Sequence, residues 1–134
     1  MGNTIRRLYY NCLTRRFSSE KTEELDDDVQ NEDKRVEGLS KDDLAIRVKD
    51  FRKVYLSGKG PCTPGKPMLA VEKLSFGVAL GECFCLLGVN GAGKSTTFKS
   101  LTNEIEPTQG TIHVAGFDVQ KNFRKARKMM GYCP

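Results

Sequence analysis

Apolar and polar residues alternate along Leu44-Ala45-Ile46-Arg47-Val48-Lys49, which predicts a strand that begins near Leu44 and closes at Tyr55. Residues 57–67 are dense in glycine and proline and read as a loop. A second alternation, Leu74, Phe76 and Val78, leads to a Gly81-Glu82 turn and then to Cys83-Phe84-Cys85-Leu86-Leu87, an unbroken apolar run that predicts a strand buried on both faces. The period then changes. Phe98, Leu101 and Ile105 recur at helical spacing, Thr111-Ile112-His113-Val114 alternates again, and Val119, Phe123, Ala126 and Met130 predict a last helix with Asp118 as its N-cap and Gly131 as its C-cap. Upstream, Ile5, Leu8, Tyr9, Cys12 and Leu13 form the apolar stripe of an amphipathic helix flanked by Arg6, Arg7, Arg15 and Arg16.

Charge divides the chain further. The 134 residues carry 22 Lys and Arg against 17 Asp and Glu, a net +5, but residues 1–20 are basic, 21–50 acidic and 51–134 basic again. The acidic stretch, with Glu23-Glu24-Leu25-Asp26-Asp27-Asp28, is too poor in apolar residues to repay the entropy of ordering and reads as a linker. Three segments follow: a basic juxtamembrane-like helix over 1–20, an acidic linker over 21–43 and a folded domain over 44–134. The first would suit an anionic membrane surface, the alternative being a short tail helix that packs on protein or does not form. Myristoylation is disfavoured, since Arg6 stands where the pattern wants Ser or Thr after Gly2.

Several classes are excluded or set aside. No apolar run approaches the roughly 20 residues of a membrane-spanning helix, and no apolar region of a secretory signal follows Arg6-Arg7. The five cysteines, Cys12, Cys62, Cys83, Cys85 and Cys133, lack metal-site spacing and read as reduced, mostly buried thiols. His113, the single histidine, lies opposite the apolar face of its strand and reads as a plain strand residue. Arg124, Lys125, Arg127 and Lys128 read as a solvated helix face, not a nucleic-acid patch.

One motif carries chemistry. After the apolar run comes Gly88-Val89-Asn90-Gly91-Ala92-Gly93-Lys94-Ser95-Thr96, a complete G-x-x-x-x-G-K-S loop between an expected strand and an expected helix. Its three glycines allow backbone angles that turn successive N–H groups inward around an anion, and the helix start adds the positive end of its dipole. Lys94 would reach the β- and γ-phosphates of a nucleoside triphosphate, Ser95 would ligand Mg²⁺, and Thr96 would hydrogen-bond a phosphate oxygen further back. No second apolar strand ending in Asp-Glu follows, so the carboxylates that hold the metal and activate water in a nucleoside triphosphatase are missing.

With Leu101-Thr102, Glu106-Pro107-Thr108-Gln109-Gly110 and Gly131-Tyr132-Cys133-Pro134 added, residues 26–134 resemble the nucleotide-binding domain of ATP-binding cassette (ABC) transporters, most closely subfamily A, the lipid-exporter-like group. Where that subfamily has Gly after Leu-Thr, this chain has Asn103, which tolerates a left-handed backbone. The resemblance implies an α/β fold, the N-terminal half of a P-loop NTPase: an antiparallel β-subdomain plus a phosphate-loop strand and helix, preceded by a tail. It also implies that Tyr55 stacks on the adenine of ATP, the alternative being a strand-end tyrosine packed on the core.

The implied function is ATP binding within an ATPase that powers transmembrane, lipid-directed transport at the cytoplasmic face of a membrane. Its implied partners are transmembrane domains and a second nucleotide-binding domain, with no nucleic acid. The Q-loop glutamine, signature sequence, Walker B Asp-Glu and switch histidine of the family would follow Pro134. The sequence is therefore expected to be a partial domain that leaves its apolar strand with an open edge and does not hydrolyse ATP alone. Two other readings stand beside it, a different P-loop NTPase and a non-catalytic membrane-surface adaptor with a vestigial P-loop fold.

Overall fold

The computed structural model describes residues 26–40, 43–57 and 66–133. The expected helix over 1–20 and most of the Gly/Pro-rich loop lie outside them. The remainder is α/β, built on a four-stranded antiparallel sheet: β1 (Leu44–Ser57), β2 (Lys66–Ala79), β3 (Gln109–Val114) and the short β4 (Phe117–Asp118), in the order β2-β1-β3-β4. Three helices accompany it: α1 (Asp27–Gly38), α2 (Lys94–Leu101) and α3 (Phe123–Lys128).

β1 is longer than its alternation predicts, and the cause is irregular pairing. Leu44 and Val48 are buried at even positions, Phe51 at an odd one and Val54 at an even one again. The β1–β2 register shifts between Val48 and Phe51 and again between Phe51 and Val54, so the buried face changes parity twice. Asp50 sits in the first irregularity with φ 49°, its N–H donating to the Ser75 hydroxyl at 3.1 Å. The core joins Val48, Phe51, Val71, Phe76, Val78, Ile112 and Val114 of the sheet to Leu101 of α2, to Val119 just after β4 and to Ala126 of α3.

The acidic stretch read as a linker is largely a helix. α1 buries a single side chain, Val36, which sits with Leu44 where Gly77 presents no Cβ. Polar contacts do the rest. Glu37 pairs with Lys49 at 2.8 Å and Asp33 with Lys73 at 2.9 Å, while Arg47 donates to the Val36 carbonyl through Nη2 at 2.8 Å and Nε at 3.1 Å. Asp27 and Asp28 in the first turn and Arg35 in the last complement the helix dipole. A composition argument based on apolar content alone misses a segment held by charge.

Further expectations are corrected. Cys83-Phe84-Cys85-Leu86-Leu87 is not a strand: no described strand lies beside it, and without a neighbour to take up its N–H and C=O groups an apolar run forms no ladder. Cys83, Phe84, Cys85 and Leu87 are exposed, Leu87 to 86%, and the Phe84 ring stacks on Phe76 with centroids 5.0 Å apart. The thiols of Cys83, Cys85 and Cys133 are therefore free and exposed rather than buried. α2 turns Thr97, Ser100 and Leu101 to the core and leaves Phe98 exposed, and it stops at Leu101, so Ile105 does not extend its stripe.

That stop is a helix-ending motif carried by Asn103. At φ 57° it lets the Glu104 N–H reach back to the Lys99 carbonyl at 2.8 Å and its own N–H reach Ser100 at 3.2 Å. Asp118, expected as a helix cap, instead pairs in β4 and accepts the N–H groups of Gln120 and Lys121 at 2.9 and 3.1 Å; Asn122 holds the cap position of α3 and Met129, not Gly131, ends it. Burial pushes the Asp118 carboxyl up, but these N–H groups and the Lys121 ammonium outweigh it and hold the group below its ordinary value. His113 is a strand residue as expected, yet it is buried, lying between Arg47 and Asp118 in a row across three strands. Arg124, Lys125, Arg127 and Lys128 form an exposed face, as expected.

Candidate functional site

The loop Gly88–Thr96 runs from the exposed apolar segment into α2. Gly91 and Gly93 have φ 91° and 87°, left-handed values that side chains rarely adopt. Gly93 is constrained twice over: a Cβ there would stand 2.6 Å from Val71 Cγ2 and 2.7 Å from the Ala70 carbonyl oxygen of β2. The loop is thus pressed against the middle of β2, and only glycine fits the contact.

Gly93 is also the N-cap of α2, and no side chain caps that helix. The first intrahelical bond runs from the Thr97 N–H to the Gly93 carbonyl at 2.9 Å, so the N–H groups of Lys94, Ser95 and Thr96 precede the helical ladder. The Thr97 hydroxyl is used internally, donating to the same carbonyl at 3.1 Å. Ser95 is exposed and Thr96 half-buried. Uncapped amides, a dipole end and an adjacent ammonium give this helix start a positive potential.

Lys94 folds back across the loop. Its ammonium donates to the Gly88 carbonyl at 2.6 Å and to the Val89 carbonyl at 2.8 Å, while Ala92 donates its N–H to Val89 at 3.2 Å. Lys94, Gly88, Val89, Ala92 and Gly93 are therefore gathered into one cradle. Asn90 and Gly91 lie exposed at its tip.

Tyr55 lies near the end of β1, half-buried and in register with Met68 of β2. Ala70 and Val71, which back Gly93, are two and three positions further along that strand, roughly 7 to 10 Å on. One strand thus carries both the partner of Tyr55 and the floor under the loop. The Lys53 ammonium stands 5.2 Å from the centre of the Tyr55 ring.

Sequence reasoning passed over Lys53, although its place two residues before Tyr55 puts the two on one side of an extended strand. Burial pushes its ammonium below the ordinary lysine value. Among the described residues no three His, Cys, Asp or Glu lie together as a metal-ion group, and no helix is long and apolar enough to cross a membrane.

Residues 71–134 match the family model of the ABC transporter. The retinal-specific phospholipid-transporting ATPase ABCA4 of Homo sapiens is 44% identical over 110 residues, 81% of this chain and 4% of that protein. The phospholipid-transporting ATPase ABCA3 of Rattus norvegicus is 43% identical over 112 residues, 81% of this chain and 6% of that protein. Among solved structures, an ATP-binding subunit of an ABC transporter is 31% identical, with a TM-score of 0.48 over 63% of this chain and 31% of that one. The chain thus spans a small share of the length of the proteins it resembles.

Proposed function

Since the chain belongs to the ABC transporter family, with relatives in subfamily A, we propose that residues 88–96 bind the triphosphate of ATP and that the chain serves within a nucleotide-binding domain driving phospholipid transport. The observation that carries this reading is the cradle itself: left-handed backbone at Gly91 and Gly93, Gly93 pressed onto β2, an uncapped α2 start and the Lys94 ammonium drawn over the loop. Each supplies positive potential or donors to one point.

In this reading the amides of Gly88, Val89, Asn90, Gly91, Ala92 and Gly93 and of the first turn of α2 hold phosphate oxygens. Lys94 exchanges its two carbonyl partners for the β- and γ-phosphates, a swap of neutral acceptors for charged ones that strengthens each bond. Thr96 takes a phosphate oxygen further back, and Tyr55 stacks on adenine. The exposed hydroxyl of Ser95, a hard oxygen donor beside the same amides, fits Mg²⁺. When bound, the ion neutralises phosphate charge. The role assigned to these residues is binding and orientation; hydrolysis is assigned to none of them. Transmembrane domains, a second nucleotide-binding domain and a membrane surface meeting residues 1–20 complete the proposed setting.

Isothermal titration of the 134-residue chain with MgATP, beside Lys94→Ala, tests this. ATP binding that falls at least about tenfold in the variant, the loss of a charge-assisted contact to phosphate, supports it. Equal affinity in the two chains, or no binding by the unsubstituted chain, overturns it.

A further inference from the structure

Residues 52–54 of β1 are tied to the connection between α2 and β3 chiefly by three short bonds. The Lys53 ammonium donates to the Glu106 carbonyl at 2.6 Å, the Thr108 N–H donates to the Arg52 carbonyl at 2.9 Å, and the Val54 N–H donates to the Thr108 hydroxyl at 3.0 Å. Two of these are backbone anchors that any residue at 53 would leave intact. The third fixes the Lys53 ammonium, and it is fixed 5.2 Å from the centre of the Tyr55 ring.

A cation over an aromatic face is attracted by the ring's negative quadrupole, and more strongly where water is partly excluded, as the depressed lysine here indicates. An aromatic ring has two faces. With the ammonium held over one, a flat base stacks only on the other, and the ring is restrained before the base arrives. Ordering it beforehand removes part of the entropy cost of stacking.

We infer that Lys53 is a positioning residue for the base of the bound nucleotide, holding the Tyr55 ring between its own ammonium and the purine. The inference rests on the assignment of Tyr55 as the stacking ring. It makes Lys53 act on the base and not on the phosphates, which belong to the loop and Lys94.

The test titrates the 134-residue chain, Lys53→Met and Lys53→Arg with ATP and with inorganic tripolyphosphate, and repeats the series in a Tyr55→Leu background. Lys53→Met is expected to weaken ATP about three- to tenfold, with tripolyphosphate changed less than about twofold, as a cation–π contact of ordinary strength requires. Lys53→Arg keeps the cation and should restore most of the ATP affinity. In the Tyr55→Leu background Lys53→Met should cost nothing further. Should Lys53→Met fail to fold by circular dichroism, Lys53→Gln, which keeps a donor for Glu106 without the charge, gives the same readout. Equal weakening of both ligands, or none, overturns the inference. If the unsubstituted chain binds neither ligand, the phosphate-loop reading itself fails; if it binds both equally, Tyr55 does not hold the base and the role of Lys53 falls alone.

Discussion

Arg35 of α1 donates to the carbonyl oxygen of Gly77 at 2.6 Å, and Glu32, one turn earlier and paired with Arg35, accepts the Gly77 N–H at 3.0 Å. Gly77 lies on β2, the outer strand of the sheet, so both outward peptide groups of an edge residue are taken up by one helix. An unpaired edge is a template for wrong pairing, and here a charged helix covers it.

Removing one half of that clamp should loosen α1 without unfolding the sheet. Arg35→Ala is expected to cost about 1 kcal/mol, the low end for a charged hydrogen bond because the side chain is 43% exposed. Glu32→Ala should also speed hydrogen exchange at the Gly77 amide, read by NMR. Unchanged exchange there would mean that the helix does not hold the edge.

The attachment of α1 should fail in acid. The Arg35 hydrogen bond lowers the Glu32 carboxyl below its ordinary value, and the Ser75 hydroxyl, then Lys73, lower that of Asp33, each against some burial. Carboxyls lowered in the folded state stabilise it above their unfolded values, near pH 4, and that contribution is lost as pH falls through the folded ones. Exchange protection of Gly77 should be constant from pH 7 to 5 and drop below about 4. Added salt at pH 7 should erode it more gently, since these pairs are partly exposed. Protection that persists at pH 2.5 would contradict this.

Two neighbouring glycines should behave differently. Gly91→Ala meets only an unfavourable φ, with open space around it, and should cost about 1 kcal/mol. Gly93→Ala adds overlap with Val71 and the Ala70 carbonyl and should cost about 2 to 4 kcal/mol, since the overlapped group is partly backbone. Urea midpoints measure the difference; equal values would show that the loop is not pressed on β2.

Cys83 and Cys85 should react with N-ethylmaleimide within the folded chain, since both are exposed on an unpaired segment. The same segment should promote self-association, and Phe84→Ser should reduce it, at the loss of the stacking on Phe76. Peptide mass mapping reads the first and concentration-dependent sedimentation the second. Labelling only after denaturation would show the run to be covered.

Much of this was legible because it is local. The phosphate loop is specified by residue types at fixed spacing, and the left-handed Asn103 by its place after Leu-Thr. The alternations at Leu44 and Thr111 named their strands, since period two follows from the pleat. Where β1 changes parity, alternation stopped being informative, because the shift at Asp50 depends on pairing with β2.

The sequence by itself determined the loop motif, the presence of strands at Leu44 and Thr111 and the two helices that follow the loop, all features set within about ten residues of chain. Only the tertiary structure decided the rest. It turned an acidic stretch into a helix because basic residues of β1 and β2 and the bare edge at Gly77 offered partners far along the chain. It left Cys83–Leu87 out of the sheet for the converse reason, since an apolar run becomes a strand only beside another strand. It also brought the Glu106 carbonyl to the Lys53 ammonium that stands over Tyr55, a contact between segments some fifty residues apart.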